Sequence, residues 1–79
     1  MEAEETAYLA GAKYAELLQE IYGANIWMRK DHPQTKISEN DYRFLKDKYG
    51  EVTQAMTDAY LQGFNAVMER GNKPDQGTR

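Results

Sequence analysis

The chain reads as an all-α protein: an antiparallel helical hairpin of two long helices that associates with a second copy into a dimeric, four-helix-type bundle. Three observations carry that expectation. Tyr42, Leu45, Tyr49, Val52, Met56, Ala59, Gly63 and Val67 recur at three- and four-residue steps, the spacing of one helix face. Ala7, Ala10, Gly11, Tyr14, Leu18, Ile21 and Tyr22 form a second such face nearer the N-terminus. Between them Pro33 breaks the pattern, because it lacks the N–H a helix interior needs and disfavours helical geometry at His32.

The first helix is expected over about residues 3–31. Lys13, Glu16, Glu20, Glu2 and Glu5 occupy the side opposite its apolar face. Ala7 and Gly11, small and central on that face, would let a neighbouring helix come close. Gly23 is a candidate stop or kink, since glycine costs about 1 kcal/mol inside a helix. Ile26 and Met28 return to the apolar face if the helix continues, with Asn25 at its centre and Trp27 turned toward the polar side.

Residues 32–37 read as the connection. Ser38 then begins the second helix as an N-cap, with Glu39 and Asp41 at the positive end of the helix dipole. This helix is expected to run over about 38–70 without a break. The apolar stripe keeps its phase through Gly50, so the periodicity favours continuity there. Gly71-Asn72 and Pro74 end it, leaving 1–71 as one domain and 72–79 as a flexible polar tail. No internal repeat and no strand-period segment is apparent. Tyr14, Leu18, Ile21, Leu45, Val52, Met56, Ala59 and Val67 form much of the expected core. From Ala59 to Met68 the apolar surface widens beyond what one partner helix covers. Ala59, Tyr60, Leu61, Gly63, Phe64, Val67 and Met68 are therefore the expected oligomer interface.

Composition narrows the means of stabilisation. A chain of 79 residues is one small domain, which is marginal unless disulfides, a metal or oligomerisation support it. There is no cysteine, and a single histidine cannot build a multi-histidine metal site within one chain. Oligomerisation remains, and neither a metal nor a cofactor is expected. No segment approaches the roughly 18 apolar residues of a membrane span, and the acidic start is unlike a signal peptide. A cytoplasmic, non-membrane protein is expected. The formal charge of −3 works against nonspecific nucleic-acid binding.

The charge is unevenly spread. Residues 1–28 are net −4, 29–48 net +2, and 49–79 net −1. Arg29, Lys30, His32 and Lys36 cluster at the bend, and Arg43 and Lys46 follow in the next helix, making a candidate surface for a partner protein or an anion. Interleaved Asp31, Glu39, Asp41 and Asp47 disfavour a nucleic-acid track. Glu16 and Glu20 form an alternative acidic face for a partner. They have i,i+4 spacing, but lie on the polar side and lack the Glu-x-x-His motif of di-metal bundles. Catalysis is not expected: His32 has only Asp31 and the sole serine, Ser38, for company, and Ser38 is better used as a cap. The six tyrosines lie mostly on or beside the apolar faces, as core rings with their hydroxyls at the rim or as an aromatic ligand site.

In shape, a dimerising hairpin resembles the small plasmid regulators that bind RNA as four-helix bundles, a likeness carried by no motif. Small acidic helical proteins also resemble phage inhibitors of bacterial defence systems. Tyr60-Leu61-Gln62-Gly63-Phe64-Asn65-Ala66-Val67 resembles the final helix of phage cyclic-nucleotide sponges, through small and apolar positions over this short stretch. The function expected first is a non-enzymatic regulator that binds itself and blocks or redirects a partner protein. The alternative, with which the last resemblance agrees, is a protein that binds or sequesters a nucleotide or other small anion with basic and aromatic residues near the hairpin bend or at a subunit interface.

Overall fold

The computed structural model describes residues 2–22 and 36–71, which form three helices: α1 (Glu2–Tyr22), α2 (Glu39–Tyr49) and α3 (Gln54–Gly71). The described residues are otherwise turn and extended backbone, so the all-α expectation holds at the level of class. The two-helix hairpin does not. The expected extension of the first helix through Gly23, Asn25, Trp27 and on to residue 31 lies outside the described residues, as does the 72–79 tail.

Glu2, Glu4 and Glu5 fill the first turn of α1, where carboxylates meet the exposed N–H groups and the positive dipole end. Ser38 caps α2 as the sequence suggests. Its backbone is extended, and its hydroxyl accepts from the Asp41 N–H at 3.3 Å.

The main correction concerns the helix expected to run unbroken over 38–70. It ends at Tyr49, turns, and restarts at Gln54. Gly50 adopts φ 88°, ψ −23°, a left-handed conformation that a residue with a Cβ resists. Its N–H donates to the Lys46 carbonyl at 2.8 Å, closing the end of α2, and Lys46 and Lys48 sit at the negative end of that helix's dipole. Thr53 then caps α3, its Oγ1 accepting from the Met56 N–H at 3.2 Å. Stop and start signals within four residues outweigh the periodicity.

On both helices the stripe lies toward the interior, with Tyr42 at its start left exposed. The chain reverses over residues 50–53, so Ser38 and Asp41 at the start of α2 meet Tyr60, more than a turn into α3. Tyr49 at the other end of α2 shares a 2.8 Å hydrogen bond with Thr6 of α1. Leu45, Met56 and Val67 are buried, while Tyr49, Val52 and Ala59 pack at the margin. Ile37, expected only as connection, also enters the core.

The principal contact is between α1 and α3, which run parallel. Ala7 packs with Met56 and Tyr60, and further along both helices Ala15 packs with Phe64 and Val67. The crossing lies between these clusters. A Cβ added to Gly11 would fall onto the carbonyl of Tyr60 and stand 3.2 Å from the Phe64 nitrogen. A Cβ added to Gly63 would fall onto the carbonyl of Tyr8 and stand 3.2 Å from the Ala12 nitrogen. The two glycines are related by local two-fold symmetry, and each lets the facing backbone approach as only a residue without a side chain permits.

That symmetry is written in the sequence. Ala7-Tyr8-Leu9-Ala10-Gly11 recurs as Ala59-Tyr60-Leu61-Gln62-Gly63. The expectation of no internal repeat is therefore also corrected: this short repeat lies on both helices and its copies face one another. Ile21, expected in the core, is exposed instead. In register with the glycine crossing it lies past Gly71, where α3 stops.

Candidate functional site

The expected sites fall into three groups. Of the basic cluster, Arg29, Lys30 and His32 lie outside the described residues. Lys36, Arg43 and Lys46 are exposed on or just before α2. Arg43 reaches Glu39 one turn back at 3.5 Å, a mostly exposed i,i+4 pair of the kind that contributes little to stability. The described bases thus stand among acids rather than forming a uniform positive surface.

The expected oligomer interface is largely used within the chain. Tyr60, Gly63, Phe64 and Val67 are buried, and Ala59, Leu61 and Met68 are partly buried around them. Phe64 meets Tyr14 of α1 with ring centroids 5.7 Å apart and planes tilted by 42°, a favourable aromatic arrangement. Gln19 of α1 donates to the Val67 carbonyl at 3.3 Å and lies against the Met68 sulfur.

Tyr60 also anchors a polar cluster that ties α3 to the start of α2. Its ring is fully buried, and its hydroxyl donates to Asp41 Oδ2 at 2.7 Å while standing 3.3 Å from Ser38 Oγ. Ser38 Oγ donates to the same carboxylate oxygen at 2.9 Å. Burial pushes the Tyr60 phenol well above its ordinary value of 10.0. The Ser38 hydrogen bond offsets part of that rise, and the bond to the Asp41 carboxylate and its negative charge add to it. A protonated phenol bonded to a carboxylate is a strong structural link. The phenol and the Ser38 hydroxyl both donate to one carboxylate oxygen, so the cluster fastens α3 to the start of α2. Among the described residues no group of three or more His, Cys, Asp or Glu is placed to hold a metal ion.

The third group is the outer side of α1. Glu16 and Glu20 are exposed there, as expected. Beside them runs a row that the sequence reading did not assemble: Glu5, Leu9, Lys13, Leu17 and Ile21, at successive i,i+4 positions and all exposed. Leu9, Leu17 and Ile21 retain 65%, 49% and 60% of their accessible surface, unlike the aliphatic residues on the inner face. Rows of this spacing are the ridges by which helices pack against one another. Stepping by four from Glu5 would have found this row. Ile21 also follows Leu18 at a three-residue step, which joins it to the inner face by spacing alone.

No protein-family model matches the chain, and neither a curated protein nor a solved structure is significantly similar to it.

Proposed function

We propose that this is a non-enzymatic helical protein that associates with itself and acts by binding, and so blocking or redirecting, a partner protein. The observation that carries the reading is the row Glu5–Leu9–Lys13–Leu17–Ile21 on the outer side of α1, with Glu16 and Glu20 along its edge. Single exposed leucines are ordinary on protein surfaces. Three aliphatic side chains on one helical ridge, with Lys13 between Leu9 and Leu17 and carboxylates along the edge, fit a partner surface that is apolar opposite Leu17 and Ile21 and basic opposite Glu16 and Glu20. The described helices include none long and apolar enough to cross a membrane. The mixed charge around Arg43 favours this surface over anion capture on α2.

The test uses two doubly substituted chains as bait beside the wild type. Leu17→Ala with Ile21→Ala removes the apolar ridge, and Glu16→Lys with Glu20→Lys inverts its acidic edge. All four side chains are exposed, so each melting temperature is expected to stay within a few degrees of the wild type. The reading expects a protein retained by the wild-type chain from a lysate to be lost by about tenfold or more with either variant. Equal retention by all three chains would refute the proposed face.

A further inference from the structure

We propose that the surface α1 offers to α3 is also an interface between two copies of this chain, with the α3 of each protomer seated on the α1 of the other. The exchange would occur by straightening the chain at Gly50–Thr53, so that α2 and α3 join into one helix. This inference rests on the self-association part of the reading above, and not on the partner-binding ridge.

Two observations support the exchange. The first is the phase of the apolar stripe. Across a genuine turn nothing requires the positions before and after it to share one helical face. Yet Tyr42, Leu45, Tyr49, Val52, Met56, Ala59, Gly63 and Val67 do so through the turn. A straight helix over 39–71 would carry them on one side, so that Leu45 and Tyr49 could stay against their own α1 while Met56, Gly63 and Val67 meet the α1 of the second copy.

The second is the local construction of the turn. The bend depends on one left-handed glycine and a threonine cap, and the space a Gly50 Cβ would occupy holds no atom within 4 Å. Straightening would keep the Gly50–Lys46 bond, which already has the i→i−4 spacing, and would replace the Met56–Thr53 cap bond with the ordinary ladder of an α-helix, leaving the backbone groups satisfied. The parallel glycine crossing of α1 and α3 is the same whether the two helices come from one chain or two. Exchange of an identical element is a low-cost route to a dimer, and hinge segments are where it is controlled.

The sequence of the hinge gives two opposite variants. Gly50→Ala disfavours the left-handed turn and favours a continuous helix. Gln54→Pro acts the other way. Position 54 is the first residue of α3, where proline is well tolerated, but in a straight helix it would be an interior proline that breaks the ladder.

Monomer and dimer would be measured by light scattering over a concentration series for the three proteins. A 1:1 mixture of ¹³C-labelled and unlabelled chains, unfolded and refolded together, would be examined for inter-chain NOEs between the Tyr14 and Phe64 rings. The proposal expects the wild type to dimerise at rising concentration and Gly50→Ala to dimerise at least about tenfold more tightly. Gln54→Pro should remain a folded monomer, and Tyr14–Phe64 NOEs should cross between chains in the dimers. A Gly50→Ala dimer no tighter than wild type, or a Gln54→Pro protein that dimerises as the wild type does, would overturn it. Dimers lacking inter-chain Tyr14–Phe64 NOEs would overturn the exchange while leaving self-association standing. Monomers throughout would overturn both.

Discussion

Gly11→Ala and Gly63→Ala are each expected to lower stability by about 3 kcal/mol or more, among the largest effects a single methyl group can have. The reason is geometric. At either position the new Cβ meets a backbone carbonyl of the opposing helix, Tyr60 for Gly11 and Tyr8 for Gly63, and a carbonyl in a helix cannot swing aside as a side chain can. The helices must move apart, which loosens the packing of Ala7 with Tyr60 and of Ala15 with Phe64 and Val67 on either side. In a domain of this size the loss corresponds to a fall of about 10–25 °C in melting temperature. Because the crossing is two-fold symmetric, the two variants should be similarly affected. Gln62→Ala, beside Gly63 but exposed, serves as the control and should change stability by less than about 0.5 kcal/mol. Thermal and urea melts of the three variants check the expectation.

Tyr60→Phe is the second. It keeps the buried ring and removes only the hydroxyl that donates to Asp41 at 2.7 Å. A hydrogen bond to a charged acceptor contributes about 1.5–3 kcal/mol, and the expected loss at neutral pH lies in that range. The variant should also change the alkaline limb of the stability profile. The folded state holds the Tyr60 phenol protonated well above 10.0, whereas an unfolded tyrosine ionises near that value. Its contribution is therefore complete below about pH 10. Above that pH the unfolded chain releases a proton that the folded chain retains, and stability falls by about 1.4 kcal/mol per pH unit from this group. Subtracting the Tyr60→Phe profile from the wild-type profile isolates this component from the other tyrosines and lysines. A difference that is flat from pH 9 to 11 would contradict the burial of this phenol.

Both predictions depend on features that the sequence showed unevenly. The capping of α2 was legible because Ser38 followed by acids at 39 and 41 is a local chemical signal that tertiary packing did not override. The small side chains at Ala7 and Gly11 were legible as a close-approach site for the same reason, since nothing else on that face explains them. The break at Gly50 was signalled by the glycine itself, by Lys46 and Lys48 before it and by Thr53 after it. Hydrophobic phase points the other way, toward an unbroken helix. Phase reports which face meets a partner, and two helices folded back on α1 can meet it with the same face.

The repeated Ala-Tyr-Leu-x-Gly was present in the letters alone. Comparing the chain with itself would have found it and suggested that the two helices pair. The role of Tyr60 was less accessible. Its place in an apolar segment suggested an outer surface, but only the chain reversal brings Ser38 and Asp41 to its hydroxyl. The surface ridge of α1 lay between these cases. Its residues are plain in the sequence, whereas their exposure depends on which face of α1 packs against α3.

The most direct test of the fold on which these readings rest is a set of NMR distance contacts from the wild-type protein, held dilute enough to be monomeric. Contacts are expected from the Gly11 Hα to the Phe64 amide and from the Gly63 Hα to the Ala12 amide, with the helical i,i+3 pattern interrupted between Tyr49 and Gln54. An unbroken helical pattern from Glu39 to Val67 in that monomer, without the two glycine contacts, would contradict the account.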